Sequence, residues 1–289
     1  MRHPALVSPT GQLLLSMAIF GTIGLVRRNI AMPSIPLALL RATLGCFSLV
    51  VLILVLHRPV HRVMLRKRLP RILVCGLLMG LDWACFFEAF NHTTVAIATL
   101  CYYMAPVFML IAAPFVFHEH LSRWKIGCAV VTVFGMLLVS GVLGGGAQHV
   151  DPLGLMFALL GAVFYAGIII VAKTIQGLDP FEETAVQLGV AVVILCGYCL
   201  CTGNLDFSGM DALGWGLLLL LGVFHTGIAY AVYFGALREV PAQTTALLSY
   251  VDPIVAVLLS VFVLQEPVSL LQGAGIILVL GGMIASERK

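Results

Sequence analysis

The chain has 289 residues, of which 61% are hydrophobic and only 10% are charged, and its formal net charge is +3. A soluble domain carries about 25% charged residues, so this composition excludes an ordinary water-soluble enzyme or binding domain. The apolar runs approach the roughly 20 residues that a helix needs to cross a bilayer, which predicts an all-α integral membrane protein.

Ten apolar segments follow one another along the chain, with short connections between them. They cover residues 11–32, 35–56, 71–90, 94–117, 123–143, 152–173, 182–203, 212–236, 240–264 and 268–286. We expect each to be a transmembrane helix whose main partner is the lipid bilayer. No cofactor, metal or nucleic-acid partner is expected, and the chain is compatible with a monomer or a homodimer.

Basic residues concentrate on one side of this predicted topology. They include Arg2, Arg58, Arg62, Arg66, Lys67, Arg68, Arg71, Arg123, Lys125, Lys173, Arg238, Arg288 and Lys289. The opposite loops, at residues 144–151 and 202–211, contain no Lys or Arg. The positive-inside rule therefore places both termini in the cytoplasm and the protein in the cell (inner) membrane.

The two halves of the chain carry one pattern at a constant offset of 147 residues. Tyr103-Met-Ala-Pro106 leads through an apolar run to Glu119, and Tyr250-Val-Asp-Pro253 leads through another to Glu266. We predict two five-helix repeats, residues 1–145 and 146–289. An odd number of spans inverts the second copy, and inverted repeats are typical of transporters that work by alternating access.

These residues resemble those of the drug/metabolite transporter superfamily, in particular the EamA-type permeases. The resemblance rests on the doubled Pro…Glu pattern and on Arg41, which is similar to an arginine frequent at that place in the family. It implies a secondary transporter of small metabolites, often an exporter, with a central cavity lined by segments 1, 3, 4, 6, 8 and 9. The resemblance does not identify the substrate.

Asp82 lies near the middle of an otherwise apolar segment, where a carboxylate costs about 2.5–3.5 kcal/mol on insertion scales. It must face protein or water, so we expect it to bind substrate or carry protons; a structural hydrogen bond is the alternative. Glu88 lies six positions later, on a different helix face and close to the outer interface, where it can also reach water.

Asp252 immediately precedes Pro253, and Pro106 occupies the equivalent position beside the neutral Ala105. Proline removes a backbone donor and loosens the preceding turn, so both prolines are expected to act as hinges. Asp252 brings charge to its bend and is a candidate substrate ligand. A packed kink without a ligand is the alternative.

Aromatic residues cluster near these acids, and acids beside aromatic faces suit an ammonium or another organic cation. They are Trp83, Phe86, Phe87, Tyr102, Tyr103, Tyr165, Tyr230, Tyr233 and Tyr250. Trp83, Tyr103 and Tyr250 are expected to contact substrate, although aromatic residues also fill helix interfaces. His225 is a candidate proton carrier, and Arg41 can receive a substrate carboxylate or extend outward to water.

Glu119 and Glu266 each follow an apolar run at a helix-to-helix turn. An acid at such a turn can accept hydrogen bonds from free amides at a helix N-terminus, so we interpret both as structural residues of the turns.

The favoured function is a secondary active exporter of a small metabolite, such as an amino acid, amine or organic cation, with protons as the candidate coupling ion. An intramembrane enzyme is one alternative, for which His118-Glu-His120 is the densest candidate cluster. A passive channel or a receptor is the other. No G-x-x-x-x-G-K-[ST] loop for ATP is present.

Overall fold

The computed structural model describes residues 7–58, 60–120, 122–139, 151–203, 210–265 and 269–287. Within these ranges the chain forms helices joined by short turns, without strands, which confirms the predicted all-α class. The helices are α1 Pro9–Gly21, α2 Ile23–Arg27, α3 Ser34–Val55, α4 Arg62–His92, α5 Val95–Tyr102, α6 Ala105–Phe117, α7 Arg123–Val139, α8 Pro152–Lys173, α9 Pro180–Thr202, α10 Ala212–Leu219, α11 Ala229–Leu237, α12 Ala242–Leu248, α13 Val251–Phe262 and α14 Leu270–Glu287.

Eight helical stretches in the described part of the chain are long and apolar enough to cross a membrane. The two predicted spans outside this set are those at residues 123–143 and 268–286, where α7 and α14 lie. The chain is therefore a multi-pass membrane protein, and the count of ten spans stays a prediction.

Helix α4 begins at Arg62, earlier than the predicted start at residue 71. The basic stretch from Arg62 to Arg68 was expected to be a connection, but it forms the first turns of the helix. Arg and Lys are good helix formers, and their long side chains keep the charge in water while the backbone continues as helix.

Glycines allow the backbones of two helix pairs, α4 with α9 and α7 with α14, to approach each other closely. A Cβ placed on Gly76 of α4 would lie 2.6 Å from the carbonyl oxygen of Gln187 on α9. One placed on Gly282 of α14 would lie 2.4 Å from the hydroxyl of Thr132 on α7. The absence of a side chain thus lets these helix pairs approach within direct contact.

Two helical stretches are interrupted at nearly equivalent positions of the two halves. Helix α5 gives way to α6 at Tyr103, and α12 gives way to α13 at Ser249 and Tyr250. The hydroxyl of Tyr250 donates to the carbonyl oxygen of Tyr103 at 3.2 Å. The two interruptions therefore contact each other through residues that the sequence offset pairs.

A π-helical segment, Leu220–Ile228, joins α10 to α11. The sequence pattern predicted a continuous α-helix here. Its wider turns carry His225, which bonds to Thr22 between α1 and α2, and Thr226, which bonds to Arg41 of α3. π-Helical segments of this kind are rare and occur frequently at functional sites.

The turn between α11 and α12 is held by charged groups from the turn after α6 and from the end of α8. The carboxylate of Glu119 accepts from the backbone amides of Ala242 and Gln243, at 2.8 and 3.2 Å. The ammonium of Lys173 donates to the carbonyl oxygens of Leu237, at 2.7 Å, and Val240. We call Glu119, Lys173 and the turn that they hold the basic-end clasp.

Arg238 joins the same end of the bundle to α9. Its guanidinium donates to the carbonyl oxygen of Leu178 at 2.9 Å and pairs with the carboxylate of Glu183. Burial lowers the pKa of Arg238 to about 10, so the group stays protonated at neutral pH.

Glu119 thus binds the N-terminus of α12, in the other half of the chain, rather than that of the following helix α7. Its predicted counterpart Glu266 lies outside the described residues. The residues before the two glutamates, His118 and Gln265, share a left-handed backbone with φ of 55°. The two turns therefore share a left-handed residue at positions that the 147-residue offset pairs.

Replacing Glu119 by Ala should lower the thermal midpoint in detergent, because two amides at the start of α12 lose their acceptor. A lost helix cap costs about 1–2 kcal/mol. Glu239→Ala is the matched control, since Glu239 lies in the same turn with an exposed side chain. Equal midpoints for the two variants would show that Glu119 does not stabilise the turn.

Candidate functional site

A cavity of about 100 Å³ lies between the interrupted helices. Helices from both halves of the chain contribute to its wall. The lining residues are Phe20, Ile23, Met79, Asp82, Trp83, Tyr102, Tyr103, Pro106, Tyr165, Ile168, Tyr230, Tyr233, Phe234, Ser249 and Asp252. The wall is therefore mainly aromatic, with two carboxylates and no Lys or Arg among these described residues.

Asp82 is 1% exposed, on the face of α4 that borders the cavity. The hydroxyl of Tyr102 donates to its Oδ2 at 3.1 Å. Its Oδ1 is buried and has no hydrogen-bond partner within the described part of the chain. A buried carboxylate oxygen without a donor is costly, so this oxygen is available to a ligand or a proton.

Asp252 lies in the first turn of α13 and is partly exposed, and it borders the same cavity. The helix begins at Val251, immediately after the interruption, so the side chain projects from a free helix end. A carboxylate is stabilised there by the partial positive charge of the helix N-terminus. The structure thus brings Asp82 and Asp252 to one cavity, although they are 170 positions apart in the sequence.

Five tyrosines complete the wall: Tyr102, Tyr103, Tyr165, Tyr230 and Tyr233. The rings of Tyr102 and Tyr165 are stacked, with centroids 5.7 Å apart, and the hydroxyls of Tyr165 and Tyr233 are 3.5 Å apart. The sequence favoured Tyr103 over the other four. The other four come from α5, α8 and α11, and no common sequence pattern marks them as lining one cavity.

Trp83 and Arg41 form a pair at the edge of the cavity. The guanidinium carbon of Arg41 lies 4.6 Å from the centre of the Trp83 ring, a cation–π contact. The Nε of Arg41 donates to the hydroxyl of Thr226 at 3.0 Å. Trp83 lines the cavity, whereas Arg41 is buried and is not among the lining residues.

Of the other predicted site residues, Pro106 lines the cavity, and Tyr250, Pro253 and His225 do not. Tyr250 is 1% exposed, and its hydroxyl bonds to Tyr103. His225 is buried in the π-helical segment, where its Nε2 lies 2.8 Å from the hydroxyl oxygen of Thr22.

Glu88 belongs to a separate polar cluster. Its carboxylate accepts from the amide of Asn91 at 3.1 Å and from the hydroxyl of Tyr198, and it lies 3.3 Å from Nε2 of His92. None of these four residues lines the cavity. The two acids that distinguish α4, Asp82 and Glu88, therefore have different surroundings.

The comparisons with known proteins agree with this architecture. The model of the EamA-like transporter family matches residues 11–141 and 152–286. The chain belongs to this family. The predicted resemblance to EamA-type permeases is therefore confirmed, and membership indicates a membrane transporter.

Curated relatives of this EamA-like transporter are named uncharacterized transporters. YxxF of Bacillus subtilis (strain 168) is 29% identical over 274 residues, which cover 94% of this chain and 87% of the relative. A relative from Archaeoglobus fulgidus is 24% identical, covering 96% and 95%. A solved crystal structure has a TM-score of 0.80 at 20% identity and covers 98% of this chain and 99% of that one, which shows a shared fold.

Gly21 fixes how closely α1 of this EamA-like transporter approaches Asp252. A Cβ added there would lie 2.6 Å from the Asp252 carbonyl oxygen and 2.6 Å from Cβ of Val255. Gly21→Ala should therefore destabilise the fold by about 1–3 kcal/mol, the usual cost of overpacking, and lower the thermal midpoint in detergent.

Gly24→Ala is the matched control, because a Cβ at Gly24 meets no atom within 4 Å. It should leave the midpoint unchanged or raise it slightly, since Ala favours helix over Gly. A Gly21→Ala protein as stable as Gly24→Ala would mean that α1 moves away from α13 without cost.

Proposed function

We propose that this chain is a secondary active transporter that exports a small amine, organic cation or amino acid across the inner membrane by alternating access. The observation that carries the proposal is the cavity between interrupted helices, with the carboxylates of Asp82 and Asp252 on its wall. Transporters commonly bind their cargo at such interruptions, because the broken helices leave backbone and side-chain groups free to bind.

The architecture that we propose is ten spans arranged as two inverted five-helix repeats, residues 1–145 and 146–289. Three observations support it: the matched interruptions, the equal φ of 55° at His118 and Gln265, and the family model's match to two successive stretches. The gathering of basic side chains at one end, among them Lys173 and Arg238, supports cytoplasmic termini.

Alternating access requires the two ends of the cavity to open in turn. Pro106 and Pro253 lie in the first turns of α6 and α13, immediately after the interruptions. We assign the bending to these points. In this proposal the basic-end clasp holds the cytoplasmic end closed, and opening toward the cytoplasm would separate Glu119 from the start of α12.

Proton coupling through Asp82 and His225 has support from their hydrogen bonds. Asp82 has an oxygen without a donor. The Thr22 hydroxyl lies 2.7 Å from the Ile19 carbonyl oxygen and 2.8 Å from Nε2 of His225, but it has one proton to donate. When that proton goes to Ile19, a protonated Nε2 completes the second bond, which a neutral His225 ring provides, so His225 is linked to Thr22 through an exchangeable proton.

The two alternatives are less well supported. An enzyme based on His118-Glu119-His120 would need a free carboxylate, and that of Glu119 binds the amides of α12. A channel would need a continuous path, whereas the cavity is small, about 100 Å³. Substrate-dependent counterflow in proteoliposomes separates a carrier from a channel, a receptor or an enzyme.

Asp82→Asn should leave the protein folded and reduce transport by at least about tenfold, because a lost charge-assisted bond of 1.5–3 kcal/mol changes binding by that factor or more. Its pH dependence should also flatten. The measurement is counterflow in proteoliposomes at two pH values.

Glu88→Gln is the matched control, since it neutralises an acid on the same helix outside the cavity. Transport and thermal stability close to those of the unchanged protein are expected for the control. Normal transport by well-folded Asp82→Asn protein would exclude Asp82 as a substrate or proton site.

A further inference from the structure

We propose that the cargo is an α,ω-diamine, which binds with one ammonium at Asp82 and the other at Asp252. The inference rests on the proposed transport function and specifies its substrate class. Three features of the cavity support it: the charges of its wall, the carboxylate oxygens that lack hydrogen-bond donors among the described residues, and its aromatic surface.

The charges of the wall are unbalanced. Asp82 and Asp252 both line the cavity, and among the lining residues that the structure describes there is no Lys, Arg or His. Two carboxylates in apolar surroundings repel each other and lose hydration unless cations or protons neutralise them. A monoamine neutralises one carboxylate, whereas a diamine neutralises both.

The hydrogen bonds point to a donor-rich ligand. The hydroxyl of Tyr102 donates a hydrogen bond to Oδ2 of Asp82, whereas Oδ1 receives none from the described residues. Gly161 of α8 lies next to this oxygen without a side chain, since a Cβ added there would be in van der Waals contact with Oδ1 at 3.5 Å. No described side chain donates a hydrogen bond to Asp252. An ammonium carries three donors and can satisfy such an oxygen while binding neighbouring hydroxyls.

A zwitterionic amino acid fits this wall less well. Its carboxylate would enter a space that already holds two carboxylates, and the guanidinium of Arg41, which is not a lining residue, is stacked on the Trp83 ring at 4.6 Å. The Nε of Arg41 also binds Thr226. The amino acid's carboxylate would therefore lack a cationic partner, which disfavours this member of the proposed substrate set.

The aromatic wall suits the rest of a diamine. The rings of Phe20 and Tyr230 lie 4.9 Å apart, and Tyr102 stacks on Tyr165. Such faces pack against a methylene chain and attract an ammonium through the ring quadrupole. The small cavity also favours a short chain over a bulky drug-like cation.

Each half of the chain supplies one of the two acids. The residue equivalent to Asp82 is Ala229, and the residue equivalent to Asp252 is Ala105, so neither acid is repeated. A dication that bridges the pair would contact α4 of the first half and α13 of the second. Cargo binding would then draw together the halves that must move relative to each other.

The test uses three ligands with the same four-carbon chain: 1,4-diaminobutane, 1-aminobutane and 4-aminobutanoate. Each is offered as competitor and as exchange substrate to proteoliposomes containing the full-length protein. We expect 1,4-diaminobutane to bind at least about tenfold more tightly than the other two, because it makes one more charge-assisted contact. Equal or tighter binding of the monoamine or the zwitterion would overturn the proposal.

Asp252→Asn provides the sharper measurement. It should remove the preference for the diamine over 1-aminobutane, since only Asp82 then remains to bind an ammonium. Glu88→Gln should keep the full preference. A well-folded Asp252→Asn protein that still prefers the diamine by the original factor would overturn the two-carboxylate site.

The outcomes separate the two proposals. Protein that exchanges amino acids or other solutes but not diamines is a transporter with a different cargo, which overturns only the diamine inference. Protein that binds 1,4-diaminobutane through both acids but never moves it across the bilayer supports the site and overturns the transport function.

Discussion

In a bilayer, backbone N–H and C=O groups must find partners inside the protein, because lipid offers none. An interrupted helix is therefore tolerated only where other parts of the chain supply those partners. The carbonyl oxygen of Tyr103 receives the hydroxyl of Tyr250 at the point where two interruptions meet. The turn after α11 receives a carboxylate from Glu119 and an ammonium from Lys173. The cavity, the free end of α13 and the clasp all depend on this requirement.

The same requirement explains why polar side chains gather where they do. Asp82 can be buried in α4 because the helices opposite are broken and leave space, with the hydroxyl of Tyr102 facing one of its oxygens. Asp252 can follow Ser249 and Tyr250 because the new helix end stabilises a negative charge. A pair of unbroken apolar helices would offer neither the space beside Asp82 nor the helix end at Asp252. The site is thus a consequence of the interruptions, and its chemistry differs between the halves because the acids are not repeated.

The sequence predicted the helical class, the family, and the two acids that later proved to share a cavity. Each of these rests on a local property: hydrophobic run length, a repeated Pro…Glu pattern, or the cost of a charge in an apolar segment. It did not predict the π-helical segment Leu220–Ile228, because no local pattern distinguishes it from an α-helix. It also underrated Tyr102, Tyr165 and Tyr230, since a tyrosine in a helix interface and one in a cavity look alike in a sequence.

The sequence by itself determined that the chain lies in a membrane, because 61% hydrophobic residues and long apolar runs leave no soluble alternative. It also determined the pairing of Tyr103 with Tyr250 as equivalent positions, through the fixed offset. Only the tertiary structure decided that Glu119 binds α12, that Arg41 stacks on Trp83 outside the cavity lining, and that Asp82 and Asp252 face one space. These are contacts between residues far apart in the chain. They are set by the packing of helices against each other, and such packing leaves no trace in local composition.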